Sequence, residues 1–554
     1  MPWTLYRYIL RELLKLLVLS AGVLVMVISF VAAIKPMSDG MLGPVTLLKF
    51  VLYTIPTMLG FVLPFAGAFS STLVFIRMAT DNEITACATS GMSYRKILLP
   101  VLMLGLALTM GLFYLSNFVV PRYYRLADRT IQRDLVTLLV SQLNQSRPFV
   151  FPNTNFVLYA DHADIIDPDR LTLQDPAPEK VVDLRGVAVG QLDLKGRLRS
   201  DTTAQRALVF LYRQADTNRS WVMIRLENAM YYDVVRGELS FVGSTDIGPV
   251  RLPSPFHDDP KFLSLHELKV LGQNPERYDQ VNEATQHLAR ILAVERLRFK
   301  IAQALKSQDI HGALELAGVQ EGDQFFLQCP KAYLGTRQIT LRADEAQPVQ
   351  IEYATSGQVL RRYEAQKALI QVEQSEFSIE PTVVIQLYET KVYDTRSLGR
   401  YSEHPVLNLQ RAMWPQRILE SDPKRLRAES LRLQTEHPPY NKISTIISAR
   451  TSLADEIVHL GNKIMSQLNQ RAANAVACLL LLLLGGVLSI QLKGQMPLVV
   501  YFWSFLLAII SIVIIYTGGN MASNAECTLS VGLLILWTGN LMLLAVLFAL
   551  FYRL

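Results

Sequence analysis

The chain has 554 residues, 50% of them hydrophobic and only 18% charged, with 54 Lys and Arg against 48 Asp and Glu for a net charge of +6. So apolar a composition excludes a wholly disordered chain and points to a membrane protein or a membrane–soluble hybrid. Cys87, Cys329, Cys478 and Cys527 are too scattered for a disulfide framework or a C-x-x-C site, and a weak positive balance without a basic block argues against a nucleic-acid partner.

A hydrocarbon slab of roughly 30 Å takes about 20 apolar residues in helical form. Six runs reach about that length without Asp, Glu, Lys, Arg or His: residues 16–34, 50–76, 97–120, 472–490, 498–516 and 531–551. Three precede a long middle region and three follow it. Arg7, Arg11 and Lys15 make the first run resemble a signal peptide, but it is long for one, lacks a clean cleavage site near Val31-Ala32-Ala33-Ile34-Lys35, and is soon followed by a second run. It is expected to be a retained helix. The second run, about 40 Å as a straight helix, carries Pro56, Gly60, Pro64 and Gly67, which act either as a hinge or simply as residues that membrane helices tolerate.

Orientation follows from Lys and Arg in the short connections. Arg7, Arg11, Lys15, Arg77, Arg95, Lys96, Lys493 and Arg553 fall on one side, Lys35 and Lys49 on the other. Both termini are expected in the cytoplasm and the middle region outside. The cluster Arg122, Arg125, Arg129 and Arg133 does not oppose this, because long loops translocate largely regardless of charge.

From about residue 147, short alternating runs bounded by Asn, Asp, Gly and Pro read as strands: 149–151, 156–159, 207–212, 221–226 and 239–242. A β-sandwich or jelly roll is the economical architecture. Helix-favouring residues take over around 265–314, with Leu288, Ile291, Leu292 and Leu297 near helical spacing, and strand character returns at 325–327, 338–341, 350–353 and 382–387. The two β segments end alike, at 224–233 and 385–394, each followed by a polar stretch and a Leu-rich run. That fits either an internal duplication or a chance likeness of amphipathic strands. Residues 445–471 read as a helix carrying Glu456, Asn462, Lys463 and Arg471 toward the membrane surface.

The expected fold is thus an α-helical integral membrane protein with six transmembrane helices in a 3+3 plan and a large all-β or α+β domain, jelly-roll-like, between spans three and four. Residues 1–135 hold spans one to three, 136–270 the jelly-roll-like domain, 271–444 an additional α+β segment able to hold a second β unit, and 445–554 a linker helix with spans four to six.

No G-x-x-x-x-G-K-[ST] occurs, so ATP hydrolysis would belong to a partner. The six runs contain no ionisable residue, which disfavours ion-coupled transport. There is no H-E-x-x-H, G-x-S-x-G or kinase set, and the eight histidines include no i,i+4 pair, so neither catalytic residues nor a metal site are expected.

The connection 77–96 has local order. Thr80-Asp81-Asn82-Glu83 reads as a capping box, 84–90 continues as helix, and Gly91 suits a left-handed C-terminal position. Residues 80–91 are expected to form a short helix across the cytoplasmic mouth. Either Glu83 or Asp81 faces a basic residue in a groove of a nucleotide-binding partner, or Glu83 merely caps the helix while Arg95 and Lys96 anchor at the interface.

Tyr6-Arg7-Tyr8-Ile9-Leu10-Arg11-Glu12, the Pro-rich second run, Asp81-Asn82-Glu83-Ile84-Thr85-Ala86 with Ser90-Gly91-Met92-Ser93, and Asn117-Phe118-Val119-Val120-Pro121-Arg122 resemble the LptF/LptG (YjgP/YjgQ) permeases of the lipopolysaccharide export ABC transporter. The likeness is strongest over 1–135 and resumes at Asp259-Pro260, Leu263-Ser264-Leu265-His266-Glu267-Leu268, 468–492, and Trp537 with Asn540. It departs from the family where residues 271–444 separate the Leu-Ser-Leu-x-Glu-Leu motif from span four, and where the helix before span four lacks a close copy of the usual Glu-x-x-x-Arg run.

The resemblance implies a multi-pass inner-membrane subunit with a periplasmic β-jelly roll, whose helix 80–91 couples to a cytoplasmic ATPase dimer through Glu83, Asp81, Thr80 and Gly91. The chain itself would bind no cofactor; ATP and Mg would be used by that ATPase. Its other partners would be a second permease of the family or another copy of itself, a β-bridge protein with a single membrane anchor, and a glycolipid. Lys35, and more weakly Lys49, match a basic position at the cavity rim, where a lysine either pairs with lipid phosphates or snorkels. Phe61, Phe65 and Phe69, spaced by four, either line an acyl-chain cavity or pack against a neighbouring helix. The expected function is export of lipopolysaccharide or a related glycolipid; the alternatives are a mechanotransmitting ABC subunit of the lipoprotein-export or cell-division type, and a membrane-anchored periplasmic scaffold or enzyme.

Overall fold

The computed structural model describes residues 3–38, 44–150, 156–166, 178–192, 197–214, 219–234, 238–251, 259–306, 313–318, 322–335, 338–345, 347–355, 357–373, 381–394, 401–409, 412–414, 427–493, 495–524 and 528–553. The N-terminal helices are α1 (Trp3–Ser38), α2 (Pro44–Thr80), a short α3 (Glu83–Thr89), and α4 (Tyr94–Tyr114), which passes through a π turn (Leu115–Val119) into α5 (Val120–Asn144). The C-terminal helices are α9 (Ser444–Gln491), α10 (Pro497–Ser523) and α11 (Leu529–Tyr552). Among the described residues six helices are long and apolar enough to cross a membrane, and each of the six uncharged runs lies within one of them. α2 continues as one helix through Pro56 and Pro64.

Small residues set how closely these helices approach. A Cβ added to Gly518 would fall on the backbone of Leu536, one on Gly532 on the backbone of Ala522, and one on Gly485 on the carbonyl of Ala68. Between apolar helices such close backbone approach supplies the dispersion contact that burial from water cannot.

By its internal contacts the chain divides into two units, one of residues 1–273 with 459–554 and one of 274–458. The first holds the apolar helices, α6 (Leu265–Gln273) and a six-stranded antiparallel sheet of β1 (Phe149–Val150), β2 (Phe156–Ile166), β3 (Lys180–Leu192), β4 (Leu198–Gln214), β5 (Arg219–Asp233) and β6 (Glu238–Arg251). Neighbours in this sheet are neighbours in the chain. The described pairings therefore make a meander, not the crossed order of a jelly roll. Leu139, Val140 and Leu143 of α5 pack on Leu158, Leu184 and Leu226. Asn144 fixes that helix end by donating to Ala163 O at 2.8 Å and accepting from Ala163 N at 2.9 Å.

The second unit comprises α7 (Asp279–Lys306), α8 (Ala428–Glu436), the start of α9, and a nine-stranded sheet. Its strands are β7 (Leu314–Gly318), β8 (Asp323–Gln328), β9 (Lys331–Leu334), β10 (Ile339–Arg342), β11 (Val349–Thr355), β12 (Gln358–Glu373), β13 (Thr382–Asp394), β14 (Tyr401–Asn408) and β15 (Ala412–Met413). The order is β14-β13-β15-β7-β8-β11-β12-β10-β9, and β13 also pairs with β12. That extra pairing closes β7, β8, β11, β12, β13 and β15 into a ring. Leu316, Leu327, Ile351, Ile385 and Leu387 fill its interior with no exposure, and Leu297 and Ile301 of α7 join the same cluster.

The glycine contacts give the first testable outcome. Gly532→Leu should lower stability in detergent by about 1–3 kcal/mol through overpacking, whereas Gly22→Leu, where an added Cβ meets nothing within 4 Å, should leave the melting midpoint unchanged. Equal midpoints for both variants would contradict the packing described.

Candidate functional site

Three features of the first unit bear on function. The first is α3. Ile84, 3% exposed, packs with Ile9 and Leu13 of α1, Phe75 and Met78 of α2, and Ile97 of α4, which pins the short helix to the bundle. The capping box is not formed. α2 extends to Thr80, whose hydroxyl donates back to Ile76 O at 2.8 Å and Arg77 O at 3.0 Å, and Asn82 takes the N-cap place in a left-handed conformation without a side-chain cap. A Thr that ends one helix spends its hydroxyl on that helix's own carbonyls and has none left for the next. The helix is accordingly Glu83–Thr89, shorter than 80–91. Gly91 is left-handed, with φ of 83°, as expected, and Asp81 is exposed in the turn.

Glu83 is not free of the bundle. Its Oε1 accepts from Tyr8 Oη at 3.3 Å; Arg77 Nη2 donates to the same Tyr8 oxygen at 3.0 Å, and Arg77 Nη1 reaches Glu12 Oε2 at 3.3 Å. Glu83 thus links α3 directly to α1 at Tyr8, and Arg77 at the end of α2 bridges Tyr8 and Glu12, both on α1. At such exposure the ion pair contributes only about 0–1 kcal/mol. Its consequence is geometric, because a displacement of α3 is felt at Tyr8 and Glu12.

The second feature is an apolar cavity of about 1070 Å³ bounded by α1, α2 and α10, with Leu16, Val23, Phe65, Phe69, Tyr501 and Phe505 among its walls. Phe61, Phe65 and Phe69 of α2 each meet an aromatic of α10. Phe61 stacks on Tyr516 with centroids 5.4 Å apart, Phe65 tilts against Phe505 at 5.9 Å, and Phe69 stacks on Tyr501 at 5.3 Å. Phe65 and Phe69 thus both pack and line the cavity, while Phe61 lies outside its lining. Lys49 is exposed and does not line it either. Lys35 lies in the last turns of α1, and its side chain is outside the described residues.

The third feature was not foreseen. Arg471 of α9, just before the uncharged run 472–490, is 7% exposed and buried by protein groups. It donates to Asn117 Oδ1 at 3.2 Å and to the carbonyls of Pro260, Lys261 and Leu263 at 3.3, 3.0 and 2.7 Å. Asn117 sits in the π turn and donates to Phe113 O at 2.8 Å. The carbonyls belong to a segment ordered by its own sequence: Asp259 caps the 3-10 turn Pro260–Phe262, and Ser264 and Glu267 form a reciprocal capping box at the start of α6. Arg125 then pairs with Glu267 at 3.2 Å. Farther along, α9 ties itself to its neighbours through Ser466 to Gly519 O at 2.6 Å, Asn469 with Trp537 Nε1 at 3.2 Å, and Ala473 O with Asn540 Nδ2 at 3.0 Å. Residues 260–263, Trp537 and Asn540, all within the stretches that resemble the family, therefore supply partners to α9.

Arg471→Met would strip the buried acceptors of their donors and should cost on the order of 3 kcal/mol, read as earlier melting in detergent. Arg471→Lys should recover little, since one compact ammonium cannot span Asn117 and Leu263 as a guanidinium fork does. Melting of either variant at the parental midpoint would contradict this role.

A family model described as lipopolysaccharide export system permease LptF/LptG matches residues 7–278 and 298–553. The matched residues include the second sheet as well as the apolar helices. A comparison with curated proteins found no match. With the match covering nearly the whole chain, and the motif residues in the contacts above, the protein belongs to the LptF/LptG permease family of the lipopolysaccharide export system.

Proposed function

We propose that this chain is the non-catalytic membrane subunit of an ABC exporter that lifts lipopolysaccharide or a related glycolipid out of the inner membrane toward a periplasmic β-bridge. The supporting observation is the apolar cavity of α1, α2 and α10, whose walls suit acyl chains and offer them no charge. Exposing such chains to water costs about 0.8 kcal/mol per CH₂, so a route that stays apolar is what extraction requires. In this reading the termini and α3 are cytoplasmic, the sheets are periplasmic, and a second permease completes the cavity. A separate ATPase dimer, using ATP and Mg, docks on α3 near Glu83. Movement of α3 reaches α1, one wall of the cavity, through the Glu83–Tyr8 hydrogen bond, which Arg77 and Glu12 brace. A mechanotransmitting subunit with a single span before its outer domain is disfavoured, because three of the six apolar helices precede β1 in the chain.

Affinity isolation in mild detergent, with mass spectrometry of bound proteins and lipids, should recover an ATPase and a phosphorylated multi-acyl lipid. Glu83→Arg should abolish ATPase recovery. Tyr8→Phe, which removes the hydroxyl shared by Glu83 and Arg77, should leave docking intact while lowering lipid release per ATP several-fold. Normal export by Glu83→Arg, or isolation without any ATPase, would overturn the reading.

A further inference from the structure

The two β units agree in detail that amphipathic patterning does not require. α5 precedes β1 and α7 precedes β7, each laying leucines on the sheet that follows. Phe149 pairs with Leu158 in one, Leu314 with Leu327 in the other. On β4 and β5 every pairing from Ser200↔Asp233 to Val209↔Ile224 has a counterpart on β12 and β13, from Arg361↔Asp394 to Ile370↔Ile385, at one constant displacement in residue number. Both ladders leave out one opposed pair, Gln205 and Asn228 in the first and Gln366 and Glu389 in the second, and Asn228 and Glu389 both have φ of 52°. A left-handed Glu within a strand is uncommon, so the coincidence carries weight. The sequences there also match, Ala204-Gln205-Arg206-Ala207-Leu208-Val209 against Ala365-Gln366-Lys367-Ala368-Leu369-Ile370. β3 corresponds to β10 and β11 together: Arg185↔Arg206 and Val187↔Ala204 flank the single Gly186, while Arg342↔Lys367 and Val349↔Ala365 flank residues 343–348.

We infer that the second unit is a duplicated copy of the helix-and-sheet module of the first, and that its divergence has made a saccharide-binding cup. At matching positions Gln191, Ser200 and Thr202 of the first copy are Tyr353, Arg361 and Tyr363 in the second, while Asp233 is retained as Asp394. These changes gather in a cavity of about 630 Å³, within the usual range of about 300–1,000 Å³ for ligand pockets. Phe325 and Tyr353, with centroids 5.1 Å apart, form one wall; Tyr363 is buried among them, and Tyr401 of β14, 51% exposed, stands at the opening. Beneath the cup the interior is filled by the fully buried Leu327, Ile351 and Leu387, and β15 ties β13 to β7.

That arrangement selects its ligand. Arg361 and Asp394 are cross-strand partners, which puts a donor and an acceptor side by side where neighbouring hydroxyls of a sugar need both. Ser402 and His404, 3.1 Å apart, add a polar edge, and the aromatic faces suit the C–H face of a pyranose. An acyl chain would bury Arg361 and Asp394 against hydrocarbon at a high desolvation cost, and a phosphate would meet the Asp394 carboxylate. The inference concerns the second unit alone and is independent of the export reading.

The test uses the full-length protein in detergent on an array of bacterial hexoses, N-acetylhexosamines, heptoses and deoxy sugars, with retained sugars titrated by saturation-transfer NMR. At least one saccharide should be retained. Tyr401→Ala and Arg361→Ala, both at exposed positions, should each weaken it at least tenfold; Tyr401→Phe, which keeps the ring, should bind within twofold of the parent, as should Thr202→Ala in the first copy. Retention of no saccharide, undiminished binding by Tyr401→Ala and Arg361→Ala, or preferential occupation by inorganic phosphate or laurate would overturn the inference.

Discussion

A guanidinium withdrawn from water needs acceptors, and the arrangement around Arg471 follows from that need. Its partners come from the π turn after α4, from the segment that leaves the first sheet, and from nowhere on α9 itself. The π turn brings Asn117 to the guanidinium, and Asn117 remains tied to its own helix through Phe113 O. Capped ends at Asp259 and Ser264 hold the three carbonyls in place. The first sheet is therefore fastened to the apolar bundle at both of its ends, through α5 on entry and through residues 260–263 on exit.

The same economy governs the rest of the bundle. Ser466 and Asn469 of α9 bond to α10 and α11, and Thr72 of α2 donates to Ser504 of α10 at 3.1 Å. An apolar medium gives such groups no alternative partner, so they specify which helix lies beside which. Beside this polar seam the wall of α1, α2 and α10 remains apolar. On the proposed reading, the division gives the subunit a rigid seam that resists deformation and a neighbouring cavity that can change volume when α1 is pulled through Tyr8.

Much of this was legible in the sequence, for definite reasons. The spans stood out because uncharged runs of that length have few other uses, and Ile84 and Gly91 behaved as their positions suggested. The aromatic stripe of α2 was readable from its spacing, yet its partners on α10 lie far away in the chain, so spacing alone could not choose between lining a cavity and packing on a helix, and Phe65 and Phe69 do both. The capping box failed because local pattern cannot tell whether Thr80 ends one helix or starts the next. That Arg471 lies at the end of a helix leading into an uncharged run was legible; its acceptors at Asn117 and residues 260–263 were not, because they lie more than 200 residues away in the chain. Closure of the second sheet depends on β13 pairing with β12 and β15, a long-range choice that strand periodicity does not encode. The repeated ending at Asp233 and Asp394 was visible, but the shared register and the left-handed Asn228 and Glu389 required the backbone.

The most direct test of the central claim places a photo-crosslinking amino acid at position 69, on the wall of the α1–α2–α10 cavity, and another at position 548, on an exposed face of α11 that does not line it. In cells with an active motor, position 69 should yield adducts with a phosphorylated multi-acyl glycolipid, position 548 should not, and the adducts at 69 should change in amount when ATP hydrolysis is blocked. Equal labelling at the two positions, or labelling at 69 indifferent to the motor, would contradict the account.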